Sequence, residues 1–298
     1  MTSSIIETIE DPADLFERTL ALYKLGLPRG SATGWRDLTK LYTVASKQWT
    51  LITGIPGHGK SELLDALLVN LAEEDDWHFA FYSPENYPTQ MHTQKLLSKH
   101  LRLPFADGPT VRMTEREMTM GMVWVSSHFV WLNPSGKDYQ QLLAAAQPYR
   151  HRGRKFGVIL DPWNQLEHLR PRHLSETEYV SMVLTDVTAW CRDLDMHVFI
   201  VAHPAKMMRD SAGERPVPTP YDIAGSAHWF NKADNILAVH RKMDEKVSEV
   251  DVHVQKVRFK NIGRVGVATL RYNIVTGRYD DMPRKDDDDD DQAFTTHF

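Results

Sequence analysis

The sequence predicts an α/β fold whose sheet is mostly parallel and is covered by helices on both faces. Short apolar segments alternate with amphipathic ones along the 298 residues. This alternation is typical of strand–helix units whose strands are buried on both sides. The glycine-rich segment 54–61 joins an apolar strand to a helix, as such units require. Two late segments, 250–260 and 265–272, follow one another without a helix, and we expect them to pair antiparallel.

The chain divides into four predicted parts. We expect an N-terminal helical segment over 1–25, a linker or entry loop over 26–36, the α/β domain over 37–280, and an acidic disordered tail over 281–298. Within the domain, strands are predicted at 49–53, 78–83, 129–132, 156–161, 197–202, 235–240, 250–260 and 265–272. Helices are predicted at 61–71, 89–101, 138–151 and 175–194. We expect the third to be interrupted or to end near Pro148, and Ser175 and Glu178 fit a capping box at the start of the fourth.

Composition excludes several classes of protein. Apolar residues make up 42% and charged residues 25%, which is ordinary for a globular chain. No run of about 18 apolar residues predicts a membrane helix, and the first ten residues lack the basic region of a signal peptide. The single cysteine, Cys191, allows neither an internal disulfide nor a zinc site built from cysteines. We therefore expect a reducing cytosol.

The net charge of −5 does not suit a protein that coats DNA through bulk charge. Much of that charge lies in the tail, at Asp281 and in the run Asp286 to Asp291. The rest of the chain is near neutral, so a nucleic-acid contact would have to come from local basic loops.

The segment 54–61 matches the phosphate-binding pattern G-x-x-x-x-G-K-[ST] in the required strand–loop–helix context. The predicted nucleotide-binding residues are Gly54, Ile55, Pro56, Gly57, His58, Gly59, Lys60, Ser61 and the following Glu62. Lys60 would reach the β- and γ-phosphates of a nucleoside triphosphate, and Ser61 would hold Mg²⁺. The alternative is a glycine-rich turn that only resembles the motif. His58 could be catalytic, although a solvent-facing position is favoured.

Acidic and polar residues at strand ends supply the other parts of a hydrolysis site. Glu85 follows the second strand and could orient and deprotonate water; the alternative is a capping or surface glutamate. Asp161 ends an apolar strand and would hold Mg²⁺, although any such strand can end in Asp. His203 follows a later strand and could sense the γ-phosphate, or could be a satisfied histidine at a strand end.

Lys256 and Arg258 alternate on a predicted strand and so share one face. Two cations on one face suit an arginine finger, which stabilises charge on a transferred phosphoryl group. They equally suit a solvated basic edge that discourages strand pairing. The residues alone leave these two interpretations balanced.

In this order, the pieces resemble the RecA-like helicase domain of the DnaB family, and most of all the helicase domain of Twinkle-type and phage primase-helicases. The resemblance covers about residues 30–279. Its marks include Ser83-Pro84-Glu85, Ile159-Leu160-Asp161, Val201-Ala202-His203-Pro204 and Lys256-Val257-Arg258-Phe259. It implies a RecA-like P-loop NTPase core that forms a ring, usually a hexamer, with nucleotides between subunits.

The resemblance also implies roles for single residues. Lys60 would contact the phosphates, Glu85 would be the catalytic base, Asp161 the Walker B acid and His203 the phosphate sensor. Arg258, with Lys256 beside it, would be the finger given to the neighbouring subunit. The helix near residues 11–25 would pack on that neighbour.

Two loops would line the centre of the ring and bind DNA. They span 164–175 and 206–231, and ordinary surface loops are the alternative. The predicted nucleic-acid-binding residues are Arg170, Arg172, Lys206, Arg209, Gly225, Ser226 and Lys232. Such basic loops can follow a phosphodiester chain without reading its sequence. His228 and Trp229 could stack on a base, or Trp229 could be a core residue.

The resemblance favours an ATP-dependent (or other NTP-dependent) DNA helicase or translocase that requires Mg²⁺. Its partners would be single-stranded or forked DNA, further copies of the chain and a separate primase or polymerase, in a bacterial or virus-infected cytosol. The alternative is a RecA-like ATPase that acts as a nucleotide-dependent assembly switch without unwinding. A small-molecule kinase is less well supported, because no acceptor-site pattern is present.

Overall fold

In the computed structural model, residues 11–134, 136–151, 153–205, 216–224, 227–241 and 248–283 are described. Within these ranges the strands form one nine-stranded sheet in the order β3-β2-β4-β5-β1-β6-β7-β8-β9. The strands are β1 (Gln48–Gly54), β2 (His78–Tyr82), β3 (Phe129–Trp131), β4 (Phe156–Leu160), β5 (His197–Val201), β6 (Asn235–Arg241), β7 (Glu249–Val257), β8 (Gly266–Tyr272) and β9 (Tyr279–Asp281). The pairs from β3 to β6 are parallel, and those from β6 to β9 are antiparallel. The predicted α/β class, with antiparallel late strands, is confirmed.

Helices cover both faces of this sheet. The helices of the described residues are α1 (Pro12–Leu25), α2 (Arg36–Thr39), α3 (Lys60–Asp75), α4 (Thr89–Leu101), α5 (Glu115–His128), α6 (Tyr139–Ala146), α7 (Glu176–Leu194) and α8 (Ala227–Lys232). One core packs α3, α4 and α5 against the sheet, and a second core packs α6, α7 and α8 against the other face. The neighbours Leu51 and Ile52 of β1 enter opposite cores, as period-two alternation requires.

Local sequence explains where several helices begin. The predicted capping box at Ser175 is present, with its hydroxyl accepting from Glu178 N and the Glu178 carboxylate accepting from Ser175 N. Helix α5 was not predicted, although Thr114 and Glu117 form the same kind of box in front of it. That pattern was the signal available in the sequence.

Two predicted elements end earlier than expected. The helix predicted over 138–151, with an interruption or end expected near Pro148, stops at Ala146, and a 3₁₀ turn over Gln147–Tyr149 follows. Pro148 accounts for this end, since proline has no N–H to donate within a helix. The strand predicted over 250–260 stops at Val257, which leaves Arg258 just beyond the last paired residue.

Residues on both sides of the predicted domain bounds pack on the body of the domain. Residues from Gly30 onward are packed on it, although 26–36 was expected to be a linker: Ser31 bridges Val44, and Trp35 is buried. The Trp35 Nε1 donates to Tyr279 O at 2.8 Å. Asp281, expected in the disordered tail, closes β9 and accepts from Arg36 N at 2.9 Å. The remaining tail, 284–298, lies outside the described residues, and the domain boundaries stay a prediction.

Helix α1 stands apart from both cores. Asp11 caps it by accepting from Ala13 N at 2.9 Å. None of its residues is buried, and its exposed apolar side chains include Phe16, Leu22, Tyr23 and Leu25. Among the described residues, no helix is long and apolar enough to cross a bilayer.

Candidate active site

The carboxyl ends of four neighbouring strands bring the predicted hydrolysis residues to one edge of the sheet. Strands β2, β4, β5 and β1 are consecutive in the sheet and run in the same direction. Glu85, Asp161, His203 and the loop after Gly54 follow these strands in the sequence. Ligands bind at this edge in open α/β sheets, in the crevice outside the strand ends.

Two glycines give the phosphate loop its shape. A Cβ on Gly54 would lie only 2.5 Å from Val239 O of the adjacent strand β6, so this position has no room for a side chain. Gly59 has φ +87°, a left-handed conformation in which glycine is favoured, and α3 begins directly after it. The amide groups at the start of α3 therefore face the loop, where they could bind an anion.

Lys60 lies inside the loop and not in solvent. It is 5% exposed, and its Nζ donates to Gly54 O at 2.9 Å and to Ile55 O at 3.2 Å. Burial lowers the pKa of this amine to about 8, although the nearby Asp161 and Glu85 carboxylates oppose that shift. The ammonium is therefore held at the position from which a phosphate could take over its hydrogen bonds.

Asp161 and Ser61 fit a divalent cation. Asp161 is buried, and its Oδ1 has no hydrogen-bond partner among the described residues. Burial raises the pKa of this carboxyl to about 6, a shift that is opposed by a hydrogen bond from the Ser61 side chain. A buried carboxylate oxygen beside a hydroxyl is an oxygen donor set that suits Mg²⁺. When bound there, Mg²⁺ would offset the negative charge of the triphosphate.

We expect Asp161→Asn to raise the thermal stability of the nucleotide-free, Mg²⁺-free protein at pH 7.5. A rise in pKa from 3.8 to about 6 corresponds to roughly 3 kcal/mol that ionised Asp161 costs the folded state. The raised pKa means that folding favours the protonated acid, so this cost grows as pH rises from 4 to 6 and is constant above. The melting temperatures of the variant and the natural protein, measured in EDTA at pH 4.5 and at pH 7.5, check this prediction. A variant that melts below the natural protein at pH 7.5 would contradict the electrostatic account.

Glu85 and His203 lie next to each other, held by polar residues that follow β4. Gln165 Nε2 donates to Glu85 Oε1 at 3.0 Å, and His203 N donates to Asn164 Oδ1 at 3.3 Å. His203 Nε2 is 3.8 Å from Glu85 Oε1. Burial, and then the charge of Lys60, lower the pKa of His203. The sequence therefore placed Glu85 and His203 correctly beside each other, and the sensor role of His203 stays a prediction.

Gln165 was not predicted from the sequence. Its position, four residues after Asp161, was the available signal, because the residues after a strand end share the edge of the sheet with those of its neighbours. By orienting Glu85, it serves the predicted base directly.

Two predicted nucleotide-binding side chains are placed elsewhere. His58 is 7% exposed and not solvent-facing, since its Nδ1 accepts from Arg241 N at 3.0 Å where β6 runs beside the loop. The Glu62 carboxylate points to α4, where it pairs with Lys95 at 2.8 Å and Lys99 at 2.7 Å. A carboxylate so held would also repel a phosphate, so only the backbone N–H of Glu62 remains a candidate.

Arg258 lies at the edge of the sheet opposite the phosphate loop. Its backbone N donates to Asp234 O, and its Nε is 2.5 Å from the buried Asp234 Oδ1. Asn235, which follows Asp234 in the sequence, pairs with Thr50 near the start of β1. Four residues of strand, about 13 Å, separate Thr50 from Gly54, where the loop begins. Arg258 therefore cannot reach a nucleotide held by its own loop.

Lys256 accompanies Arg258 as predicted from the alternation. Its Nζ donates to Phe230 O at 2.5 Å and to Asn231 O at 3.3 Å, and lies 5.1 Å from the centre of the Phe230 ring. Burial lowers the pKa of Lys256, with Arg258 adding to the effect. The two cations thus form one group beside the end of α8.

The predicted DNA-binding residues have three different outcomes. Arg170 is exposed and lines a cavity of about 400 Å³ with Trp163, Asn164 and His203, directly beside the hydrolysis residues, and Arg172 is exposed nearby in sequence. Lys232 does not join them, because its Nζ donates to Ser181 O at 2.6 Å on α7. Lys206, Arg209, Gly225 and Ser226 lie outside the described residues. Trp229 is fully buried and packs on Trp49 and Trp163, so it is a core residue.

Comparisons with known proteins decide the family. The sequence model described as "DnaB-like helicase C terminal domain" matches residues 30–281, which begins where the packed body of the domain begins. The chain belongs to the DnaB-like helicase C-terminal domain family. A curated relative from Arabidopsis thaliana, "Twinkle homolog protein, chloroplastic/mitochondrial", is 39% identical over 285 residues. That alignment covers 91% of this chain but 39% of the relative, so the chain spans well under half of its length.

Solved structures share the fold. One described as an ATPase domain superposes with a TM-score of 0.75 at 17% identity, covering 92% of this chain and all of the other. A DnaB-like replicative helicase, solved in a study of its interactions with primase, gives 0.73 at 19% identity over 93% of this chain and 69% of that chain. The RadB recombinase gives 0.55 at 13% identity, over 85% of this chain and 99% of the other. The predicted RecA-like fold and the resemblance to DnaB and Twinkle helicases are confirmed.

The cytosolic surroundings expected from the sequence stay a prediction. The name of the Arabidopsis relative refers to chloroplasts and mitochondria. That does not fit the bacterial or virus-infected cytosol that the sequence interpretation favoured.

Proposed function

We propose that this chain is the motor domain of a ring-forming, ATP-dependent DNA helicase or translocase, with the triphosphate hydrolysed between adjacent subunits. In each site one subunit supplies the phosphate loop, Ser61 and Asp161 for Mg²⁺, Glu85 as the base and His203 as the sensor. The next subunit supplies Arg258, with Lys256 beside it. Cyclic hydrolysis around the ring then moves single-stranded DNA through its centre.

The observation that carries this proposal is the separation of Arg258 from its own phosphate loop. The two lie at opposite edges of one rigid sheet, about 13 Å or more apart along β1. The guanidinium is still 34% exposed while Asp234 holds it, so it lies at the surface in a defined orientation. An arginine that completes a phosphoryl-transfer site from outside the subunit needs both properties.

The exposed helix α1 supports assembly. With no residue buried, it carries apolar side chains on the surface of the chain. Surfaces of this kind mark protein contacts. A neighbouring copy of the domain is the partner that a ring would provide.

The chemistry within one subunit follows from the geometry. Glu85, oriented by Gln165, accepts the proton of the attacking water as the water oxygen bonds to the γ-phosphorus. The bond between that phosphorus and the β-phosphate oxygen breaks in the same step, and ADP leaves. Lys60 stays charged near neutral pH, because its pKa of about 8 lies above that range, and so offsets developing charge on the phosphate oxygens. His203 Nε2 lies 3.8 Å from Glu85 Oε1, so its contacts change when Glu85 takes up the proton. The basic residues Arg170 and Arg172 lie on the loop that follows Asp161. A DNA strand bound to this loop would therefore be sensitive to hydrolysis at the neighbouring site.

The test is strand displacement on forked DNA by the chain together with ATP and Mg²⁺. We expect hydrolysis that rises at least tenfold with single-stranded DNA, and release of the displaced strand that depends on hydrolysis. Hydrolysis that responds strongly to DNA without any unwinding would instead support the assembly-switch function. Hydrolysis that is indifferent to DNA would contradict both.

A further inference from the structure

A second group of chemically active side chains lies at the edge of the sheet opposite the nucleotide site. Asp76 follows the last residue of α3, His78 begins β2, and His128 ends α5. Both His Nε2 atoms lie 3.4 Å from the same oxygen, Asp76 Oδ1. One ligand atom from each residue lies within 4.8 Å of the other two. The phosphate loop is at the other end of the strands, so this group takes no part in the hydrolysis described above.

The backbone fixes which nitrogen of each ring carries the proton. His78 Nδ1 is 2.9 Å from Ser127 O, and His128 Nδ1 is 2.9 Å from Trp124 O. A carbonyl oxygen can only accept, so Nδ1 is the protonated nitrogen in each ring. The Nε2 atom of each neutral ring then presents a lone pair. A histidine whose other nitrogen donates to a carbonyl is the usual arrangement of a metal ligand.

Three electron-pair donors therefore converge on one point. Two imidazole lone pairs and a carboxylate repel one another unless a cation lies among them. Two ligands at about 2.0 Å from a tetrahedral zinc ion are about 3.3 Å apart. The 3.4 Å separations match that spacing and are longer than a good hydrogen bond.

We infer that Asp76, His78 and His128 form a binding site for a divalent transition metal, with zinc the best match to the donors. Two imidazoles and one carboxylate suit zinc or its neighbours, whereas Mg²⁺ favours oxygen ligands. The fourth position faces solvent, since Asp76 is 68% exposed. The metal would join the end of α3, the start of β2 and the end of α5. It would thereby hold α5, and the edge strand β3 that follows it, against α3 and β2.

Arg154 competes with a metal ion for one of the three proposed ligand atoms. Its Nη1 lies 3.2 Å from His78 Nε2, where it occupies one of the lone pairs. The residue is exposed, so its guanidinium can turn into solvent when a metal binds. Removing it should therefore strengthen metal binding, whereas a purely structural role for the histidines predicts no such gain.

The chain provides a matched control for Asp76. Asp195 follows the last residue of α7 in the same left-handed conformation in which Asp76 follows α3, and Asp195-Met196-His197 repeats the spacing of Asp76-Trp77-His78. There, however, His197 Nε2 contacts Thr50, and Asp195 accepts from Ser46. Asparagine tolerates the left-handed conformation at both positions, so Asp76→Asn and Asp195→Asn should both fold.

The experiment is calorimetric titration of the full chain, without a histidine tag or nucleotide, with ZnCl₂ at pH 7.5 after chelator treatment. We expect one zinc per chain, at least tenfold weaker binding in Asp76→Asn, unchanged binding in Asp195→Asn and severalfold tighter binding in Arg154→Gln. Zinc should also raise the melting temperature of the natural chain more than that of Asp76→Asn. Equal affinity in Asp76→Asn and the natural chain would overturn the proposal. Loss of binding in Asp161→Asn would do the same, because the zinc would then occupy the nucleotide site.

Discussion

Replacing Glu85 with glutamine is expected to lower the rate of ATP hydrolysis by about 10² to 10⁴, the usual contribution of a general base. Glutamine keeps the size of the side chain and can still hydrogen-bond Gln165, but it cannot accept a proton. Binding should be nearly unchanged, because Lys60 and the loop amides make the predicted phosphate contacts. Steady-state hydrolysis, and the dissociation constant of a non-hydrolysable analogue, measure the two effects separately.

The control is Glu176→Gln, which removes a carboxylate across the cavity beside His203. Its hydrolysis rate should match that of the natural chain. A second variant, Gln165→Leu, removes the donor that orients Glu85 and should reduce the rate by less than Glu85→Gln does. If Glu85→Gln retains more than a tenth of the natural rate, another residue is the base.

Replacing Arg258 with alanine is expected to reduce hydrolysis further, by about 10³ to 10⁵, the range found for arginine fingers. The reason is that positive charge is lost at the γ-phosphate of the neighbouring subunit, while each subunit still binds its own nucleotide. Single-turnover hydrolysis of preassembled particles measures the loss. Arg271→Ala, which removes an exposed arginine from the adjacent strand β8, is the matched control and should have no effect.

Stability must be followed in the same experiment, because Arg258 also pairs with Asp234. Asp234 is 2% exposed, and leaving such a carboxylate without its partner costs about 3 to 5 kcal/mol. Arg258→Lys keeps a positive charge at Asp234 but lacks the planar fork that contacts a phosphate. It should therefore melt close to the natural chain and still lose most of the hydrolysis. A stable Arg258→Lys with full activity would contradict the finger role.

The parts of the site that the sequence predicted are those that depend on strand ends. Because neighbouring parallel strands finish at one edge, Glu85, Asp161 and His203 could be placed beside Lys60 without coordinates. The phosphate loop was equally predictable, since the spacing of its glycines determines a local backbone conformation. For the same reason the α/β class and most of its strands were predictable from apolar segments alone.

What the sequence could not supply were partners distant along the chain. His58 is buried because β6 pairs with β1 and brings Arg241 to the loop. Glu62 turns away because α4 offers Lys95 and Lys99, and Lys232 is held by α7. No local pattern encodes these contacts. Arg258 was balanced between two roles for a related reason: its distance from its own loop follows from the order of the strands.

The central claim is that each hydrolysis site is shared by two subunits, and mixing two inactive variants tests it most directly. Lys60→Ala lacks the phosphate lysine, and Arg258→Lys lacks the finger. In a mixed ring, a subunit with intact Lys60 can lie beside one with intact Arg258 and form a complete site. We expect each variant alone to hydrolyse ATP at only a small fraction of the natural rate, and the mixture to recover a substantial fraction of that rate. No recovery in particles shown by native mass spectrometry to contain both variants would contradict the shared site.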